Sequence, residues 1–331
     1  MNRYINNTLY LNDCADIHIK NENIQVGSNK IPLKYISIVI VGVGVHLSNT
    51  DIILLVRHNI EIILLTYYNE FGARIIGDVR GNVELRTLQY RYMQSRESLS
   101  LVNEIITGKI KNQQKLLQKV AYNHSESREI IENTIGKMDL LLVNDKITVD
   151  IDSIRGIEGR AAQLYFNTFN ELIKNKEFRF KGRSRRPPLD EVNAMLSYGY
   201  AILLSRVYSA LNMVGLDQYV GFMHSIKSGK PSLALDIMEE LRPHMCDRFV
   251  LNLINLGIIQ IDMFEHRDGG VFLNNDGKRE LVKYFNSKYN SIIFHKVFNE
   301  NILMGDIPYY QARLIAQHLR GNNKYKAYLW N

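Results

Sequence analysis

The chain has 331 residues, 46% of them hydrophobic and 23% charged, with a formal net charge of +7. That balance excludes a disordered chain, and the length fits about two domains. The cationic excess suits a polyanionic partner, and two distant cysteines, Cys14 and Cys246, exclude a disulfide scaffold and a zinc ribbon.

The first eighty or so residues are β-rich. Short β-favouring runs at 8–11, 17–20, 24–26, 36–41, 60–66 and 74–76 are separated by Asn, Asp and Gly. Residues 47–58 stand apart: Ser48 or Asn49 could cap a helix there, while the isoleucines favour a strand. The pattern changes at residues 78–86, which divides the chain into a small β-rich domain, 1–82, and a larger helical one, 83–331. From Glu84 to about residue 123, Leu85, Leu88, Tyr92, Leu99, Val102, Ile105 and Ile106 recur at helical spacing, with Gly108 expected to weaken or kink the helix. Further helices are expected at 127–142, 156–173, 190–214, 232–245 and 247–256. Pro187-Pro188 ends a basic loop, and Ser232 is the expected N-cap of an acidic helix. Asp268-Gly269-Gly270 marks a hairpin within 264–272. The tail, 308–329, reads as helix running into a basic, aromatic cluster of Lys324, Tyr325, Lys326, Tyr328 and Trp330.

Neither a secretion signal nor an apolar run of about 18 residues is present, so a reduced, cytoplasmic compartment without membrane contact is expected. Gly42-Val-Gly44 falls short of a dinucleotide fingerprint, and Asn123-His124-Ser125 means little as a glycosylation acceptor without secretion.

The candidate chemistry lies between residues 155 and 245. Asp236 pairs at helical spacing with Glu239 and with Glu240, so two carboxylates could face one ion; an ordinary solvated face is the alternative. His224 ends an apolar segment and reads equally as a core or capping residue. Glu158 could serve the helix dipole, although Gly156, Gly159, Ala161 and Ala162 around it would permit close helix packing. Between Lys174 and Arg186, Lys174, Lys176, Arg179, Lys181, Arg183, Arg185 and Arg186 are set against Glu177 alone, either as a phosphate-binding strip or as a solvated linker.

In order along the chain, GKIKNQ (108–113), IEGRAAQLYF (157–166), GRSRRPPLDEVNAMLSYGY (182–200), GLDQYVGFMH (215–224) and KPSLALDIMEELRP (230–243) resemble the CRISPR-associated integrase, the nuclease subunit of the spacer-acquisition machinery. The resemblance covers most of the chain. It implies an α+β protein: a small N-terminal β-sandwich followed by a larger all-α catalytic domain. It also implies a Mg²⁺ or Mn²⁺ site formed by Glu158, His224 and Glu239, with Asp236 behind them or as an alternative ligand. The implied reaction is attack of a DNA 3′-hydroxyl on a repeat phosphodiester, in adaptive antiviral defence. The implied partners are double-stranded DNA, a second copy of the chain and a small companion protein. By location, Arg183, Arg185, Arg186, Arg242 and Arg248 are candidate DNA contacts, and Tyr165 a candidate positioning residue. Gln218 stands where family members often have proline, and 166–172 lacks a proline common nearby; both leave the proposed ligands untouched. The rival readings are a structure-selective repair nuclease and a non-catalytic DNA-binding scaffold.

Overall fold

The computed structural model describes all residues except 1–2, 6–7, 12–16, 28, 37, 43, 66–70, 78–81, 122–126, 145–149 and 331. Cys14, the Asn123 triplet and part of the 78–86 boundary lie outside the described residues. The chain forms two units, Met1–Arg80 and Gly81–Asn331.

The first unit contains β1 (Arg3–Ile5), β2 (Thr8–Leu11), β3 (Ile17–Lys20), β4 (Asn23–Val26), β5 (Asn29–Pro32), β6 (Ile38–Val41), α1 (Asn49–Arg57), β7 (Glu61–Leu65) and β8 (Phe71–Ile75). One mixed sheet has the order β1-β2-β6-β7-β8, with β2, β6 and β7 parallel; the other is the antiparallel meander β3-β4-β5. Alternate residues of both sheets meet in one core: Leu9, Leu11, Val39 and Val41 from the first, Ile17, Ile24 and Val26 from the second. Leu55 of α1 joins them. The ambiguity at 47–58 is settled by a capping box. The Ser48 hydroxyl accepts the Asp51 amide at 3.1 Å, and the Asp51 carboxylate accepts the Ser48 amide at 3.3 Å.

The second unit is mostly helical. Its elements are α2 (Val83–Gln94), α3 (Ser98–Ala121), α4 (Arg128–Asn144), α5 (Ile151–Thr168), α6 (Glu191–Val214), α7 (Ser232–Arg242), a wide π-helical turn (Pro243–Asp247), α8 (Arg248–Asn255), β9 (Phe264–Arg267), β10 (Gly270–Leu273), α9 (Asn275–Tyr289), β11 (Ile292–His295), β12 (Glu300–Leu303) and α10 (Ile307–Leu319). Helix α3 packs against α4, α5 and α7, while α6 packs against α7 and α10. The unit is not wholly helical: β9–β10 and β11–β12 form two antiparallel hairpins.

Four local expectations are corrected. The helix expected from Glu84 to about residue 123 breaks after Gln94, where the Ser95 and Ser98 hydroxyls bond to the carbonyls of Tyr92 and Ser95. Gly108 does not interrupt α3. A Cβ there would lie 2.5 Å from the Ala327 Cβ, so the glycine serves close packing against the C-terminal tail. Ser232 is not the N-cap of α7 but its first residue, donating its hydroxyl to the Ser225 carbonyl at 3.0 Å. The tail leaves helix at Leu319. Thereafter it runs as a strap whose polar groups bond to α3 and α7: Asn112 Nδ2 donates to the Tyr328 carbonyl at 2.8 Å, and the Trp330 amide donates to Asn112 Oδ1 at 2.9 Å. The aromatic half of the expected basic cluster is largely turned inward, since Tyr325 and Tyr328 are buried.

The glycines of α5 behave in the opposite way to Gly108: nothing lies within 4 Å of a Cβ built at Gly156 or Gly159, so close helix packing does not explain them. Gly108→Ala should therefore lower the unfolding free energy by about 1–3 kcal/mol through overpacking. Gly156→Ala should raise it by about 0.5–1 kcal/mol. Denaturant unfolding of the two variants checks both signs.

Candidate functional site

Four elements bring the site together. Helix α3 supplies Lys109, α5 supplies Glu158, α7 supplies Asp236 and Glu239, and the loop before α7 supplies His224. The Lys109 ammonium binds Glu158 Oε1 and, at 2.5 Å, Glu239 Oε2. One turn along α7, Arg242 Nη1 holds Glu239 Oε1 at 2.6 Å. Two of the sequence-expected carboxylates thus converge on a single cation. Burial alone would raise the Glu239 carboxyl, but the neighbouring Arg242 and Lys109 charges overcome it and hold the group at about 2. Glu239 is therefore ionised at any working pH, as an ion-binding carboxylate must be.

Asp236 faces elsewhere. Its Oδ2 accepts the amides of Phe222 at 2.6 Å and Met223 at 3.0 Å, and its Oδ1 accepts the His224 amide at 3.0 Å. Oδ1 also takes His224 Nδ1 at 2.6 Å. This bond sets the ring: Nδ1 is tied to Asp236, and Nε2 is the ring nitrogen that the contact leaves over. The clamp requires Gly221, because a Cβ there would come within 2.6 Å of Asp236 Oδ2. From α5, one turn before Glu158, Arg155 Nε donates to the Met223 carbonyl at 3.1 Å and so ties the histidine loop to the helix bearing Glu158. Asp236 acts as the positioner of His224, with both oxygens engaged.

Glu240, adjacent to Glu239, turns to the opposite side. Its Oε1 accepts the Tyr325 hydroxyl at 2.7 Å and Gln311 Nε2 at 2.6 Å, which anchors the tail. Burial pushes its carboxyl up to about 8.

The sequence-expected DNA contacts separate into distinct roles. Tyr165 is corrected: it is fully buried and donates to Asp247 Oδ2 at 3.0 Å, so it presents nothing to a nucleic acid. Tyr200 donates to Asp247 Oδ1 at 2.7 Å, and burial pushes the Asp247 carboxyl up to about 6. Arg242, besides holding Glu239, lies over the Tyr200 ring. Arg183 folds its own loop, donating to Asn193 Oδ1 at 2.7 Å and lying over the same ring. Arg248 packs over Trp330 and Phe249. Arg185 and Arg186 are exposed. Three of the five arginines therefore have structural partners, and two remain open to solvent. Lys109 and Arg155 carried no assignment at the level of sequence. GKIKNQ was the signal for Lys109, and nothing in the spacing singled out Arg155.

Among the described residues no three His, Cys, Asp or Glu side chains stand in metal-binding geometry, and an ammonium lies between the two glutamates. The donor set still fits a hard divalent ion. Two carboxylates already share one cation, and the His224 imidazole is near enough for its charge to act on Glu239.

The Glu240 carboxyl keeps its proton to higher pH in the folded protein than in the unfolded chain. Stability should accordingly fall as pH rises through about 8. Asp247 acts with the same sign only up to about pH 6. Urea midpoints measured between roughly pH 6.5 and 8.5 should decline for the wild type and stay flatter for Glu240→Gln.

The profile of the family described as CRISPR associated protein Cas1 matches residues 9–287. The CRISPR-associated endonuclease Cas1 2 of Rhodospirillum rubrum is 37% identical over 315 residues, 92% of this chain and 91% of its own length. The CRISPR-associated endonuclease Cas1 1 of Moorella thermoacetica is 34% identical over 328 residues, 96% of each chain. A solved CAS1 protein from Thermotoga maritima superposes with a TM-score of 0.81 at 22% identity, covering 97% of this chain and 99% of that one. A casposase bound to integration product gives 0.81 at 23% identity, covering 96% and 92%. At these identities the two structures establish the fold.

Proposed function

The chain belongs to the family of CRISPR-associated Cas1 proteins, and on that premise we propose that it is a DNA endonuclease and integrase that joins new spacers into a CRISPR array. The observation that carries this reading is the convergence of Glu158 and Glu239 on one cation, beside a histidine whose Nε2 is left to coordinate.

Glu158, Glu239 and His224 Nε2 are the residues that would hold Mg²⁺ or Mn²⁺. Bound there, the ion supplies Lewis-acid polarisation of the phosphate under attack and lowers the pKa of the attacking hydroxyl. The remaining work belongs to the chain. Arg242 keeps Glu239 ionised and aimed; Asp236 fixes the tautomer and tilt of His224; Arg155 holds the loop that carries it. Arg185 and Arg186, exposed on the basic loop, would contact backbone phosphates of the bound DNA. A DNA 3′-hydroxyl then displaces the 3′-oxygen of the repeat strand at phosphorus, forming one phosphodiester as another breaks. With water as nucleophile the same site cleaves DNA. The reading includes a homodimer and a small companion protein. A structural neighbour at TM-score 0.69 and 22% identity, matched over 97% of each chain, comes from a partial Cas6-RT-Cas1–Cas2 complex, which supports the companion.

The test is strand joining. Short duplexes with free 3′-hydroxyls are mixed with a plasmid carrying a CRISPR repeat, the companion protein and Mn²⁺. Wild type should give joined products; Glu239→Gln should lose about three orders of magnitude or more while still binding DNA, and Asp236→Asn about 10–100-fold. Equal joining by wild type and Glu239→Gln would remove Glu239 from the chemistry. Preference for branched DNA over a repeat target would favour a repair nuclease.

The arginines make a separate prediction. Replacing Arg185 and Arg186 together by alanine should weaken DNA binding and reduce the magnitude of the slope of log K against log salt by about 2, with the melting temperature unchanged. Arg183→Ala should instead lower the melting temperature, because it removes a buried contact of the loop with α6. Filter binding at several salt concentrations, with thermal melts, separates the two.

A further inference from the structure

Lys109 helps to keep Glu239 ionised, yet its position between the two glutamates is where the proposed ion would sit. The residue is 5% exposed, and its ammonium sits on Glu158 Oε1 and Glu239 Oε2, the two carboxylates of the proposed ion site. We infer that Lys109 is a built-in competitor for the metal: it pairs the two carboxylates in the metal-free protein, and a divalent cation binds only by displacing its ammonium. This inference rests on the metal site proposed above.

Three features of the structure support exchange. First, an ammonium bridging these two oxygens and a divalent ion bound to them would repel one another. Ligand distances of about 2.0–2.2 Å would place the two cations within a few ångströms of one another in a largely buried site, where repulsion is weakly screened. Second, the exchange requires only a side chain to move. At Gly108 α3 packs so closely that an added Cβ would lie 2.5 Å from the Ala327 Cβ, which leaves the helix little room to shift, whereas the four-carbon lysine stem can swing. Third, displacement leaves no buried carboxylate stranded. Glu239 keeps Arg242 on its other oxygen, and the Glu158 side chain is 24% exposed and can take up water. Lysine also suits the exchange better than arginine. It offers a single point charge that one ion can replace, where a guanidinium would grip both carboxylates through several donors.

Two consequences follow. The metal-free site is held together without like-charge repulsion between Glu158 and Glu239, so the ligands are already close when an ion arrives. The displacement also lowers apparent metal affinity, so the ion is held more weakly than its carboxylates alone would allow.

The test measures Mn²⁺ binding to the full chain without DNA, following free Mn²⁺ by electron paramagnetic resonance. Four proteins are compared: wild type, Lys109→Met, Lys109→Arg and Glu239→Gln. Lys109→Met should bind Mn²⁺ at least tenfold more tightly than wild type. It should also melt lower in chelator and gain more in melting temperature on Mn²⁺ addition. Lys109→Arg should bind more weakly than wild type, and it keeps the inference open to refutation should the methionine variant fail to fold. If Glu239→Gln loses binding but neither lysine variant changes it, Lys109 does not compete and the inference falls while the metal site stands. If Glu239→Gln binds Mn²⁺ as wild type does, the metal site itself is wrong, and the inference falls with it.

Discussion

A carboxylate buried without a counter-charge loses more hydration than packing returns, and the catalytic unit is arranged around that constraint at Glu239. Its side chain is almost fully enclosed, and it persists as an anion because Lys109 and Arg242 approach it from two elements. The requirement propagates outward. Lys109 must also satisfy Glu158, which fixes α5 against α3 at that level. Arg242 lies over Tyr200, Tyr200 bonds Asp247, and Asp247 takes Tyr165 from α5. The walls of the site are thus linked by charged and polar groups as well as by the apolar core between them.

Helix α7 shows three ways of burying a carboxylate within two turns. Asp236 is stabilised by three backbone amides and an imidazole. Glu239 is stabilised by two cations and stays ionised. Glu240 is met only by neutral donors, and burial pushes its carboxyl up to about 8. The differences suit different tasks: at the proposed metal site the first carboxylate would set the tautomer of His224 and the second would offer charge to the ion, while the third ties down the C-terminal strap. Asp236 and Glu239 could share a helix face, yet they serve different tasks because the glycine-bearing loop at 221–224 wraps onto one of them and α3 presents a lysine to the other.

Much of the fold was legible where local chemistry decides it. The helix expected from residue 190 is α6, the Asp268-Gly269-Gly270 turn makes its hairpin, and the β-favouring runs of the first unit fall mostly on its strands. What escaped depends on tertiary partners. Gly108 reads as a weak point of a helix until Ala327 is seen against it. Helix α9 is so polar that only Leu281, Phe285 and Tyr289, at four-residue spacing, mark its inward face. The strap at 322–330 has no periodicity, because its bonds go to Asn112, Glu240 and Gln311 rather than to itself. At the site, spacing could pair Asp236 with Glu239 but could not bring in Glu158 or His224; only the resemblance did. Arg183, Arg242 and Arg248 read as phosphate contacts because sequence shows charge but not the rings and carboxylates it meets.

The account stands or falls on whether Glu158, Glu239 and His224 hold one ion. The most direct measurement is a crystal structure of the protein with Mn²⁺, using anomalous scattering to place the metal. The account predicts a single strong peak about 2.0–2.2 Å from an oxygen of each glutamate and from His224 Nε2, with the Lys109 ammonium moved off both carboxylates. A peak elsewhere, or Lys109 still bridging Glu158 and Glu239 at saturating Mn²⁺, would contradict it.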